Sequence, residues 1–121
     1  MEKKKALITG ITGQDGAYLA EFLLGKGYDV YGMYRRGSLD VLERIGELRE
    51  KIHLVEGDLI DSTSLMRVIK EVQPDEVYNL AAQSFVPASW TQPVATAKMT
   101  GLGAINLLES IRLIKPDIRY Y

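Results

Sequence analysis

The stretch Gly10-Ile11-Thr12-Gly13-Gln14-Asp15-Gly16 carries the clearest chemical signature in the chain. Three glycines at GxxGxxG spacing supply a sharp turn, room for backbone to approach a pyrophosphate, and close packing of a helix on a strand. A helix beginning there offers unpaired N–H groups and a positive dipole end to phosphate oxygens. A glycine trio alone is weak evidence and can be a purely structural turn. Here an apolar run, Ala6-Leu7-Ile8-Thr9, precedes it and helical spacing follows, which is the context that makes it a dinucleotide site. Thr12, Gln14 and Asp15 fall within the same turn and are assigned to the cofactor with the glycines.

Farther on, a site for NAD usually places a carboxylate to hold the ribose 2′-hydroxyl. This chain has Tyr34-Arg35-Arg36-Gly37-Ser38 instead. Guanidinium groups suit a 2′-phosphate through charge-assisted, often bidentate hydrogen bonds, so Arg35 and Arg36 point to NADP. The plainer alternative is two solvated arginines in a loop. Gly57-Asp58-Leu59 offers a short carboxylate followed by a backbone N–H, a pair able to meet an adenine edge. The same residues also read as a turn ahead of a capped helix, and the two readings are compatible. In Leu80-Ala81-Ala82-Gln83-Ser84, small residues at the end of a strand would let a cofactor lie against the backbone.

These groups need a scaffold, and the chain supplies an alternating one. Strand patterns are expected at 6–9, 29–34, 52–56, 76–81 and 118–121. Helices are expected at 15–26, stopped by Gly27, and from Asp40 through Glu50. A third begins at a cap among Asp61, Ser62 and Thr63 and is closed by Pro74; a fourth runs from Pro93 to about Lys115. Such alternation predicts an α/β fold, a doubly wound parallel sheet of Rossmann type. The whole chain, 1–121, is expected to be the N-terminal part of one dinucleotide-binding domain, ending within the fifth strand and read as a fragment.

Composition narrows the function classes. Of 121 residues, 46% are hydrophobic and 26% charged, enough apolar content for a core. The formal net charge of −1 gives no basic surface for nucleic acid or an anionic membrane. The absence of cysteine excludes disulfides and thiol chemistry from this chain. No signal-peptide pattern or membrane-length apolar run is present, so a cytoplasmic location and no membrane partner are expected. His53, the one histidine, reads as structural or surface. Asp58 and Asp61 have metal-like spacing without a converging set, and no metal site is assigned. Met33, Met66 and Met99 read as core filler; Trp90 belongs to a loop that either packs or approaches substrate.

Gly10–Gly16, Arg35-Arg36, Gly57-Asp58-Leu59, Leu80–Ser84 and Asn106-Leu107-Leu108-Glu109-Ser110-Ile111-Arg112 resemble the extended short-chain dehydrogenase/reductase superfamily. Gln14-Asp15, the following Tyr18-Leu19-Ala20-Glu21-Phe22-Leu23-Leu24, and the segment from Tyr78 to Ser84 resemble the GDP-mannose 4,6-dehydratase family within it. The resemblance implies a lyase of nucleotide-sugar metabolism that converts GDP-mannose to GDP-4-keto-6-deoxymannose with tightly held NADP. It implies cofactor contacts from Leu80, Ala81, Ala82, Gln83 and Ser84, substrate proximity for Ser84 and Phe85, and a dimer or tetramer. Two other functions stay open: another nucleotide-sugar dehydratase or epimerase, and a non-catalytic NADP-binding module.

The catalytic group that the resemblance implies is a Thr or Ser, a Glu, and a Tyr-x-x-x-Lys. None of Tyr18, Tyr28, Tyr31, Tyr34 and Tyr78 has a lysine four places on. No catalytic residue is therefore assigned within these 121 residues. Departures from the family pattern are Val94-Ala95-Thr96, where a cofactor-contacting tyrosine is common, and Lys98, where an acidic residue is common.

Overall fold

The computed structural model describes residues 3–11, 14–35, 46–80 and 93–121; for Gln14 and residues 93–100 it describes the backbone alone. In chain order the elements are β1 (Lys5–Thr9), α1 (Gln14–Gly25), β2 (Asp29–Tyr34), α2 (Leu48–Lys51) and β3 (His53–Glu56). They continue with α3 (Ser62–Val72), β4 (Glu76–Asn79), α4 (Pro93–Ile114) and β5 (Arg119–Tyr120).

The five strands form one sheet in the order β3-β2-β1-β4-β5. Every pairing is parallel. Thr9 stands opposite Met33 on one side and Asn79 on the other, so β1, β2 and β4 finish level with one another. The chain builds outward from β1 to β3, then crosses back to place β4 on the other side of β1. In sheets of this kind such a reversal marks the place, beyond the carboxyl ends of the strands, where ligands bind.

Alternating side chains divide the core between the two sheet faces. On one face, Ala6, Ile8 and Val30 pack with Ala20 and Leu23 of α1 and with Leu48 and Ile52. On the other, Leu7, Met33 and Val77 meet Leu65, Val68, Ile69 and Val72 of α3 and Leu107 and Ile111 of α4. Met33 is buried there, as expected for a filler residue.

Helix α3 shows its local causes clearly. Its apolar residues recur at i, i+3, i+4 and i+7. Asp61 is the cap: its Oδ1 accepts from Thr63 N–H at 3.1 Å and Ser64 N–H at 3.4 Å. Gln73 closes the helix in the left-handed conformation, φ 51°, directly before Pro74.

The expected helix from Asp40 to Glu50 is not continuous. Residues 40–45 lie outside the described residues, and Gly46 has φ +53°, so Gly46-Glu47 forms a turn. The helix that follows is the short α2, with Leu48 alone buried. The apolar spacing of Leu42, Ile45 and Leu48 gives no warning of this, because glycine is tolerated in a helical pattern until its φ is known. Strand β4 ends at Asn79 and Leu80 lies beyond it; Ala81 is outside the described residues. No helix among the described residues is long and apolar enough to cross a membrane.

Candidate dinucleotide site

Gly10 ends β1 in a positive-φ conformation, +71°, which turns the chain off the sheet. Ile11 follows and is fully buried. Gly16 lies in the first turn of α1, and a Cβ on it would sit 2.4 Å from the Gly10 carbonyl oxygen and 2.9 Å from Ile11 Cα. Only glycine lets the start of α1 approach the turn so closely. The first and third glycines thus perform two of the duties read from their spacing. Thr12 and Gly13 lie outside the described residues, as does the side chain of Gln14; Asp15 is exposed on the first turn of α1.

The turn has a second support that the sequence does not announce. A Cβ on Gly32, in β2, would stand 2.6 Å from Ile11 Cγ1 and 3.0 Å from Ile11 Cβ. Ile11 therefore occupies the place of a side chain on the neighbouring strand. A glycine within a strand pattern signals such an approach, but not which residue makes it.

Beyond β2, Arg35 is exposed at the carboxyl edge of the sheet; Arg36 is outside the described residues. Beyond β3, Gly57 N–H donates to the Tyr34 carbonyl at 3.0 Å, which keeps the ends of β2 and β3 together. Asp58 Oδ1 accepts from Ile60 N–H at 3.1 Å, while Asp58 N–H donates to Ser64 Oγ at 3.0 Å. The segment is a turn leading into a capped helix, and its Asp58 carboxylate is partly exposed. Leu80, beyond β4, is exposed at the same edge. Ala81, Ala82, Gln83, Ser84, Phe85 and Trp90 lie outside the described residues. The structure thus brings Gly10, Gly16, Arg35, Asp58, Leu59 and Leu80 to the carboxyl edge of one parallel sheet.

A hydrogen-bonded line stiffens that edge. Thr9, fully buried, donates from Oγ1 to Asn79 Oδ1 at 2.6 Å, and Asn79 Nδ2 donates to the Tyr120 hydroxyl at 2.8 Å. It ties the ends of β1 and β4 to β5. Nothing in the sequence singles these polar residues out, because threonine and asparagine at strand ends are common in turns.

Glu76 opens β4 and is 5% exposed. Its two carboxylate oxygens accept from the hydroxyls of Tyr28, at 2.9 Å, and Tyr78, at 2.7 Å. Burial, with the bond to Glu76 added, pushes the Tyr78 phenol well above its ordinary pKa. The bond to Glu76 likewise raises Tyr28. Tyr78 also stacks on Tyr121, with ring centroids 4.9 Å apart. His53 begins β3, at the far end of the sheet from the glycine turn. Its Nε2 is 3.0 Å from Asp29 Oδ1, and its ring stacks on Tyr31 at 4.6 Å, a surface role.

The sequence signature of the family described as GDP-mannose 4,6 dehydratase matches residues 7–121. The chain is similar to the GDP-mannose 4,6-dehydratase of Vibrio cholerae serotype O1, 54% identical over 121 residues, covering 94% of this chain and 32% of that protein. It is similar to GDP-mannose 4,6 dehydratase 2 of Arabidopsis thaliana, 48% identical over 131 residues, with 98% and 35% covered. Among solved structures, an epimerase of Methanothermobacter thermautotrophicus superposes with a TM-score of 0.79 at 32% identity, covering 94% of this chain and 33% of that one. The UDP-glucose 4-epimerase of Thermus thermophilus, described in complex with NAD, gives 0.76 at 28% identity, with 91% and 34% covered. The chain spans about a third of the length of the curated relatives it matches. The match over nearly every residue, on a sheet with the Rossmann strand order, means that the chain belongs to the GDP-mannose 4,6 dehydratase family.

Proposed function

We propose that this chain is the NADP-binding part of a cytoplasmic GDP-mannose 4,6-dehydratase, and that the full-length protein converts GDP-mannose to GDP-4-keto-6-deoxymannose. The observation that carries the reading is the identity of 45–54% to proteins named for that activity. The solved epimerases named above stand at 28% and 32%, which favours the dehydratase over another nucleotide-sugar enzyme.

The residues present fit a nicotinamide dinucleotide. Gly10 and Gly16 bring the first turn of α1 against the end of β1, and the N–H groups of such a helix start would receive a pyrophosphate. Arg35, with Arg36 beside it in sequence, stands where a ribose 2′-substituent is read, and favours a phosphate there. Asp58 and the N–H of Leu59 would meet the adenine edge. Ala81, Ala82, Gln83 and Ser84 follow β4 in sequence and would border the nicotinamide half, with Ser84 and Phe85 nearest the sugar. When bound, a nicotinamide would supply reversible hydride-transfer chemistry at the sugar, held by the glycine turn and bordered by the residues that follow β4. This chain's part is to bind and orient, since it contains no Tyr-x-x-x-Lys. The 121-residue chain alone would therefore be inactive, and the full-length enzyme would be a dimer or tetramer.

The test uses the full-length protein with NADP and GDP-mannose, followed by mass spectrometry for a product lighter by one water. Arg35→Ala should remove ~1.5–3 kcal/mol of binding to the 2′-phosphate. NADP affinity should then fall roughly ten- to a hundredfold while NAD affinity stays nearly constant. Equal wild-type affinity for NAD and NADP would overturn the cofactor assignment. Tight NADP binding with no conversion of any nucleotide sugar would favour the non-catalytic module, and an epimerised product the epimerase.

A further inference from the structure

The loop after β3 is held at both peptide groups flanking Leu59. On one side, the Asp58 carbonyl accepts from Asp61 N–H at 2.9 Å, and Ser64 Oγ lies 3.2 Å from the same oxygen. On the other, Ile60 N–H donates to Asp58 Oδ1. These contacts are local to the connection between β3 and α3. One contact comes from elsewhere: Asn106 Nδ2, in α4, donates to the Leu59 carbonyl at 2.9 Å across 47 residues. Three residues earlier on α4, Gly103 is buried against Leu59, and a Cβ there would lie 2.9 Å from Leu59 Cβ and 3.2 Å from its Cδ1. Gly103 and Asn106 share a helix face by their i, i+3 spacing, so α4 backs the loop with a close contact and a hydrogen bond. The N–H of Leu59 has no partner among the described residues.

We propose that Asn106 is a positioning residue for base recognition: with Gly103, it fixes the Leu59 peptide from behind so that the Asp58 carboxylate and the Leu59 N–H hold the geometry an adenine edge requires. This rests on the dinucleotide-binding reading above. Asn106 touches no ligand itself. Hydrogen-bond selectivity depends on donor and acceptor being fixed before binding, because a loop that must be ordered by its ligand spends binding energy on that ordering.

The experiment compares NADP with its hypoxanthine analogue, which replaces the exocyclic amino donor of adenine with a carbonyl acceptor. Affinities are measured by titration of the full-length wild type, Asn106→Ala and Gly103→Ala. Wild type should prefer NADP. Each variant should weaken NADP about tenfold and the analogue less than about twofold, so the base preference collapses. A merely structural role would weaken both nucleotides by the same factor. Equal losses, unchanged NADP affinity, or a wild type without base preference would overturn the inference and leave NADP binding standing. Wild type that binds neither nucleotide would overturn the dinucleotide reading together with the inference. If Asn106→Ala does not fold, Gly103→Ala decides, because it displaces the same loop while keeping the hydrogen-bonding side chain.

Discussion

Replacing Gly32 by alanine tests how the glycine turn is braced. The new methyl would stand 2.6 Å from Ile11 Cγ1, 3.0 Å from its Cβ and 3.2 Å from its Cγ2. Carbon atoms pack best at about 3.5–4.0 Å, so Ile11 or the strand must give by roughly 1 Å. Ile11 is fully buried and has no open side to retreat toward. Overpacking of this kind costs about 1–3 kcal/mol. Removing a glycine from a strand returns about 0.5–1 kcal/mol by restricting the unfolded chain. The net expectation is a loss of roughly 0–2.5 kcal/mol. Ile11→Ala alone should cost ~2–5 kcal/mol through the cavity it leaves. In the double variant the methyl added at position 32 occupies part of that cavity, and only the contact with Cβ remains. The double variant should therefore be more stable than the sum of the single losses predicts, by about 1–2 kcal/mol. Urea denaturation of the four proteins measures the cycle. Additivity within about 0.5 kcal/mol, or a more stable Gly32→Ala, would refute the proposed contact.

Two further perturbations address other parts of the fold. Asp61→Ala removes the side chain that caps α3 and should cost ~1 kcal/mol in denaturation, with Asp61→Asn retaining most of the stability; equal values for Ala and wild type would exclude the cap. Tyr78 keeps its proton in the folded protein after the unfolded chain has released it near pH ~10. Stability should therefore be intact below that pH and fall as pH rises above it. Tyr78→Phe should flatten that part of the pH profile, and an unchanged alkaline slope would contradict the assignment.

Much of the architecture is legible in the sequence because burial on two sheet faces forces a repeating pattern. Ala6–Thr9 reads as a strand, and Leu65, Val68, Ile69 and Val72 read as one helical face, without knowledge of any partner. The edge of the site is legible for the same reason: Gly10, Arg35, Asp58 and Leu80 each follow a strand, and parallel strands end on one side. What escapes is the set of contacts between residues far apart in sequence. Gly32 accommodates Ile11, Thr9 bonds Asn79, and Asn106 bonds Leu59, yet none of these pairs has a local spacing that announces it. The expected continuation of a helix through Glu50 is broken by a backbone angle at Gly46, which apolar spacing does not reveal.

The position of β1 between β2 and β4 also governs what happens as the chain is made. Thr9 and its hydrogen-bond partner Asn79 are 70 residues apart, and the β4 side of β1 has no strand until Glu76–Asn79 has emerged. At ribosomal rates of about 5–20 residues per second, that interval is roughly 3–15 s. During it, Leu7 and Ile8, both destined for complete burial, sit on a strand with one open edge. Such an edge can pair with any extended segment nearby. The middle strand of these five is thus the most vulnerable during synthesis, a liability that binding by a chaperone or slower release of nascent chains would expose as a change in soluble yield.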